Sequence, residues 1–345
     1  MHRKIVVLIE GNTHPRSAKT AINMVRYCPD EVVALLDSTQ AGKTAGELLG
    51  VGGNLKIIAS LQDAPTADTL LIGISPPAGQ LPAAWRTILL QAAQRGMQIV
   101  SGLHAFISDD REIAQAAAKS GARIVDVRKN NEREVAWREG INQKCLRIHT
   151  VGNDCNVGKM VVSLELSRAL QRAGHDSKFV ATGQTGIMIE GDGCPIDAVV
   201  ADFINGAAER LVLKNQHHKF LFIEGQGTLV HPMYSAVTLG LLHGSAPQGL
   251  IFCYEPGHTQ LRHLKTFPIP PLRDMLRLYE TMANLMHPCK VIGLGINSRN
   301  ATAQEAAYER ARVQEELGLP ACDVIRDGTE PLMNAVLRYQ QELGL

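Results

Sequence analysis

Short apolar runs alternate with longer amphipathic stretches from one end of this chain to the other. "KIVVLI" (4–9), "EVVALLD" (31–37), "LKIIAS" (55–60), "TLLIGIS" (69–75), "MQIVSG" (97–102) and "ARIVDV" (122–127) are rich in β-branched residues and predict strands. Residues 82–96 and 110–121 carry a helical pattern. Gly96 and Gly121 stand where a helix C-cap needs positive φ. The alternation predicts βαβ units on a parallel sheet over residues 1–128. Residues 129–144 are charged and weakly apolar, and predict a linker with one or two helical turns. A second α/β series fills 145–345, with strands at 145–151, 176–182, 219–225, 249–255, 289–296 and 321–327. Its helices are expected at 158–173, 197–213, 271–286 and 302–317.

The first strand of the second series runs into "GNDCNVGKM": Gly152, Asn153, Asp154, Cys155, Asn156, Val157, Gly158, Lys159 and Met160. Glycines let successive main-chain N–H groups turn inward, and the following helix adds partial positive charge. Lys159 supplies a point charge for phosphate oxygens. Gly152 and Gly158 flank five residues rather than the usual four of a phosphate-binding loop. Met160 replaces the Ser or Thr that holds Mg²⁺, and a thioether is a poor ligand for a hard cation. Phosphate binding is therefore expected, and Mg²⁺-dependent cleavage of a γ-phosphate is in doubt.

Other polar residues sit at strand ends, where open α/β sheets place their ligands. Glu224 ends an apolar strand, followed by Gln226, Gly227 and His231. Glu224 and His231 are the candidate catalytic groups, as bases. Glu224 and Asp154 are also the candidate metal ligands. Thr182, Gly183, Gln184, Thr185 and Gly186 predict a polar, Gly-rich turn at the next strand end. That turn, Gln226, Gly227, Asp202, Arg262 and His104 are substrate candidates. His258 is a minor one, and Asn297 is the candidate contact for a base. Trp85 and Trp137 read as packing residues.

Composition narrows the class. The chain has 345 residues, 45% hydrophobic and 20% charged, and Lys+Arg 35 against Asp+Glu 34 leaves a net charge of +1. This balance argues against nucleic acid and against an anionic membrane as partners. No apolar run has the length of a membrane span. The seven cysteines form no Cys-x-x-Cys pair, and the cytoplasm is the expected location.

The loop resembles the dethiobiotin synthetase branch of P-loop proteins at Gly152, Asp154, Val157, Gly158 and Lys159, and departs at Met160. Together with "ATGQTG", "DGCPIDAVVADFINGAAE", "IEGQGTLVHP" and "SGLHAFISDD", it resembles the D-glutamate N-acetyltransferase-like family, long catalogued as a conserved domain of unknown function. The resemblance implies an α/β fold: a Rossmann-like parallel-sheet domain, then a P-loop NTPase-like three-layer α/β/α domain. It also implies an acyl-CoA-dependent N-acetyltransferase acting on a D-amino acid, D-glutamate being the assigned substrate. Acetyl-CoA would be the co-substrate, and a homo-oligomer is expected. Two alternatives stay open: an ATP- and Mg²⁺-dependent ligase or kinase of dethiobiotin synthetase type, and a nucleotide-binding regulatory protein without turnover.

Overall fold

The computed structural model describes residues 3–74, 81–264 and 266–345. The chain divides into two compact units. One holds the residues up to Asn130 together with Ile187–Gly191; the other holds Asn131–Gly186 and Asp192–Leu345.

In the first unit six strands, β1 (Ile5–Leu8), β2 (Val32–Leu36), β3 (Ile57–Ile58), β4 (Thr69–Ile72), β5 (Gln98–Ser101) and β6 (Ile124–Asp126), form a sheet of order β3-β2-β1-β4-β5-β6. Every pairing is parallel. β1 and β4 are buried along their whole length, which is why their sequences read as continuous apolar runs. Helices α1 (Lys19–Tyr27), α2 (Ala45–Leu49), α3 (Arg86–Gln94) and α4 (Arg111–Ser120) connect the strands. Asp110 caps α4 by accepting from the amides of Glu112 and Ile113, and Gly121 ends it at φ +79°. Ser75, at the end of the strand expected over 69–75, lies outside the described residues.

The second unit carries β7 (Leu146–Gly152), β8 (Ser177–Val180), β9 (Phe220–Ile223), β10 (Gly249–Tyr254), β11 (Lys290–Ile296) and β12 (Ala321–Cys322). Their order is β12-β11-β10-β7-β9-β8, again all parallel. Helices α5 (Lys159–Arg172), α7 (Ile204–Asn215), α8 (Ser235–Ser245), α9 (Leu272–Asn284), α10 (Ala303–Leu317) and α11 (Glu330–Glu342) complete the α/β fold, while α6 (Gln184–Glu190) begins in this unit and its residues from Ile187 on count with the first. Alternate residues of β10 serve opposite faces. Ile251 and Cys253 pack with Leu166 of α5 and Val336 of α11, while Leu250 and Phe252 pack with Met275 of α9 and Val313 of α10. The sheet is thus the middle of three layers.

Several expectations change, among them the last strand, which stops at Cys322 and turns where 321–327 was expected to run on. The helix expected over 197–213 starts only at Ile204, because Val199 and Val200 are extended and break the run into two 3₁₀ turns first. Residues 184–186 open helix α6 instead of forming a turn. The expected linker forms no helix. It lies along α7, with Glu209 accepting from the amides of Trp137 (2.8 Å) and Arg138 (3.0 Å). A Cβ at Gly206 would meet Glu134 O at 2.0 Å, so the contact depends on that glycine. Trp85 is buried, its indole donating to Glu10 O, but Trp137 is 72% exposed and packs little. Among the described residues no helix is long and apolar enough to cross a membrane.

Candidate active site

β7 delivers the chain to its C-terminal edge between β10 and β9, and residues 153–158 turn there into α5. Gly152 is required at the exit, since a Cβ would sit 2.5 Å from Cys253 O. Asn156 (φ +59°) and Gly158 (φ +102°) take left-handed conformations that curl the loop over the helix end. Among the described residues no acceptor meets the main-chain N–H groups of Asn156, Val157, Gly158, Lys159, Met160 or Val161. The side-chain oxygen of Asn153 is buried and equally without a partner. Lys159 is buried, its Nζ donating to Asp154 O at 2.6 Å, and desolvation pushes its pKa down. Unmatched amides around a buried cation are what a phosphate or pyrophosphate would satisfy.

Glu224 follows β9, one strand over from the loop. Its carboxylate accepts from the amides of Thr182 (2.9 Å) and Gly183 (3.0 Å), while the Thr182 hydroxyl donates to Glu224 O. Gln226 Nε2 donates to the same hydroxyl at 3.2 Å. A Cβ at Gly186 would meet Glu224 Oε2 at 2.5 Å, and one at Gly183 would meet Gln226 Nε2 at 2.4 Å. These glycines let the segment close on the acid. Burial outweighs the two amides and raises the Glu224 pKa to about 7. Gly225 then brings the backbone against the Lys159 stem.

Between pH 4.5 and 7 the folded protein therefore holds a proton on Glu224 that the unfolded chain has lost. That contribution to stability is complete below the lower value and disappears as pH rises through the upper one. Glu224→Gln is expected to be more stable than the parent at pH 8, by up to about 3 kcal/mol, with the gap closing toward pH 4.5. Buried His149, its pKa lowered to about 3 by desolvation, slopes the other way below pH 6.5. The test is thus the difference between the two denaturation curves across pH; a constant difference would contradict it.

Several residues fall into other roles. Both ring nitrogens of His231 are committed: Nε2 donates to Arg262 O at 2.9 Å and Nδ1 accepts from Met233 N at 3.2 Å. The ring is fully buried and braces a turn, so it does not stand ready as a base. Asp154 is equally committed. It accepts from Cys155 N (2.7 Å), His258 Nε2 (2.6 Å) and Arg262 N (2.8 Å), tying the loop to residues 258–262 instead of offering an open oxygen to a metal. Among the described residues no three His, Cys, Asp or Glu side chains gather as a metal site. Arg262 donates from Nε to Cys155 O and from Nη2 to Glu255, and its Nε lies 3.8 Å from Asp154 Oδ2, so two carboxylates of the chain already share its charge. Asp202 is exposed; it is Asp197, not Asp202, whose charge acts on Glu224. His104 is exposed and belongs to the first unit.

Gln184 and Thr185 are half-buried at the start of α6, and Gly227 (φ +57°) turns the chain after Gln226. The amide of Asn297 would lie 3.7 Å from a Cβ at Gly158, and its side chain lines a cavity of about 520 Å³ beside the loop. Tyr279, unmarked in the sequence, holds the loop from below by donating to Gly152 O at 2.9 Å. A buried tyrosine 127 residues away leaves no local sequence signal.

Comparison with known proteins agrees with this architecture. Residues 124–333 match the P-loop domain described as a domain of unknown function, DUF1611_C, and residues 38–130 match the Rossmann-like DUF1611_N. A protein named D-glutamate N-acetyltransferase from Tritonibacter scottomollicae is 36% identical over 324 residues, 93% of this chain and 94% of its own length. Another of that name from a Pseudoalteromonas species is 36% identical over 268 residues, 77% of this chain and 80% of its own. The crystal structure of a DUF1611 family protein from Anabaena variabilis superposes with a TM-score of 0.92 at 36% identity, covering 97% of this chain and 99% of that one. The chain belongs to the DUF1611 family, with a Rossmann-like N-terminal domain followed by a P-loop domain.

Proposed function

We propose that this protein transfers the acetyl group of acetyl-CoA to the amine of a D-amino acid, D-glutamate first among them. The observation that carries the proposal is the pair of relatives named for this activity, one aligned over 93% of the chain. The chemistry of the loop supports it. Acetyl transfer needs phosphates held, not cleaved. The amides of residues 156–161 and Lys159 suit holding, whereas Met160 and the committed Asp154 suit a Mg²⁺–phosphate pair poorly.

The order of strands gives such a ligand a direction. The cavity beside Asn297 opens on the β10–β11 side of β7, and Glu224 lies on the β9 side. A pyrophosphate over the loop would send the nucleoside one way and the thioester arm toward Glu224. The substrate ammonium first loses a proton to solvent. The amine then attacks the thioester carbonyl; its second proton passes to Glu224 as the C–N bond forms, and from there to sulfur as the C–S bond breaks. A carboxyl titrating near 7 is suited to both transfers. The Thr182–Gly186 segment closes around that acid.

The test is thiol release from acetyl-CoA across a panel of D- and L-amino acids. D-Glutamate should give free CoA in stoichiometric yield with N-acetyl-D-glutamate. Absence of thiol across the panel would overturn the proposal. ADP release from ATP with a small carboxylate or amine would replace it with a ligase or kinase.

A further inference from the structure

We infer that Tyr234 is a catalytic residue whose hydroxyl donates to the thioester carbonyl oxygen as charge builds on it during acyl transfer. The inference rests on the acetyl-CoA reading and adds a group which that reading does not use.

Attack by the amine forms the C–N bond and pushes the carbonyl π pair onto oxygen. When C=O re-forms, the C–S bond breaks and its electron pair leaves on sulfur, which takes the proton from Glu224. Between these events the oxyanion needs a donor. In the acetyl-CoA reading the loop amides face the pyrophosphate, and the amides of Thr182 and Gly183 are taken by Glu224 itself. The donor then has to be a side chain.

Tyr254, Tyr279 and Tyr339 are buried, and their hydroxyls donate to Glu309, to Gly152 O and to Gln248 O. Tyr234 differs. It is half-buried just before α8, and among the described residues its hydroxyl meets no partner. Burial raises its pKa, with Cys155 and Asp154 adding to the rise, so the phenol keeps its proton at neutral pH. It is suited to donate a hydrogen bond and not to act as a base.

The fold places this residue between the loop and the acid. Gly227 follows Gln226, and a Cβ there would sit 2.7 Å from the Tyr234 Cβ, so Tyr234 is pressed against the turn that leaves Glu224. Its ring lies 4.6 Å from the His231 ring, tilted by 40°. His231 bonds Arg262 O, and Arg262 bonds both Cys155 O and Asp154. The contacts thus run from residues 154–155 on one side to the Glu224 turn on the other. The backbone is fixed as well. Tyr234 N donates to His231 O at 3.0 Å, and Thr238 donates to Tyr234 O from both its amide and its hydroxyl. A donor held in this way needs little reorganisation when charge appears.

The test compares Tyr234→Phe with the parent, using acetyl-CoA and the amino acid of the panel that turns over fastest. Phenylalanine keeps the ring against His231. The variant should lose about a hundredfold in kcat, with its affinity for CoA unchanged. A second measurement is calorimetric titration with trifluoroacetonyl-CoA, a thioether whose hydrated ketone presents a tetrahedral centre with oxygens. The parent should bind it about tenfold or more tighter than CoA, and Tyr234→Phe should bind the two alike. Parental kcat in the variant, or an equal preference for the analogue in both proteins, would overturn the role of Tyr234. A loss confined to CoA affinity would make the hydroxyl a phosphate contact and overturn it too. A parent that releases no thiol with any amino acid would overturn the acetyl-CoA reading and this role together.

Discussion

Lys159→Met is expected to fold normally and to lose coenzyme A affinity by about a hundredfold or more, taking acetyl transfer with it. The side chain is buried, its ammonium bonds a main-chain carbonyl and no other group among the described residues, and desolvation already lowers its pKa. Removing such a cation from the apo protein costs little, because its burial was unfavourable. Methionine keeps the stem that lies against Gly225. In the complex the same ammonium would face phosphate oxygens in a site closed to water, where charge-assisted hydrogen bonds are strongest. Calorimetry and a thermal melt on the same preparation separate the two effects. A variant that binds coenzyme A like the parent would remove the loop from the site; one that melts far below the parent would make Lys159 a structural residue.

Gly225→Ala is expected to have the largest effect on stability, more than about 4 kcal/mol, and to accumulate poorly. A Cβ there would lie 1.8 Å from Thr150 O and 2.9 Å from the Lys159 stem. Neither is a flexible tip that could swing away. Thr150 sits in β7, and its hydroxyl accepts from Gly225 N at 3.1 Å and meets Ser163 Oγ at 2.9 Å. Relief requires prying β9 from β7 at the point where the loop leaves the sheet. Gly257→Ala is the comparison. It has open space around the Cβ but a φ of +73°, so backbone strain alone should cost about 1 kcal/mol. Denaturant midpoints for the two variants check the ranking, and a Gly225→Ala protein as stable as Gly257→Ala would contradict it.

The sheets were legible because a strand buried on both faces is mostly apolar: β1 and β9 are so throughout, whereas β7 also buries Arg147, His149 and Thr150. The loop was legible because glycine spacing and a lysine before a helix form a local pattern. His231 and Asp154 show where local reading stops. Residue type made one a base and the other a metal ligand. Their roles are fixed by Arg262, Met233 and His258, and two of those are more than 30 residues away. The strap over 131–144 was hidden for a similar reason: charged residues read as a solvated linker unless Glu209 is known to face their amides. Asp202 and Asp197 are equivalent in sequence, and only the two 3₁₀ turns before α7 separate them.

The central claim is that residues 152–161 grip the pyrophosphate of coenzyme A without cleaving it. Crystals grown with coenzyme A test it most directly. The account requires the pyrophosphate within hydrogen-bonding distance of the amides of residues 157–161, with Lys159 Nζ turned from Asp154 O onto a phosphate oxygen. Coenzyme A bound elsewhere, with Lys159 still on that carbonyl, would contradict it.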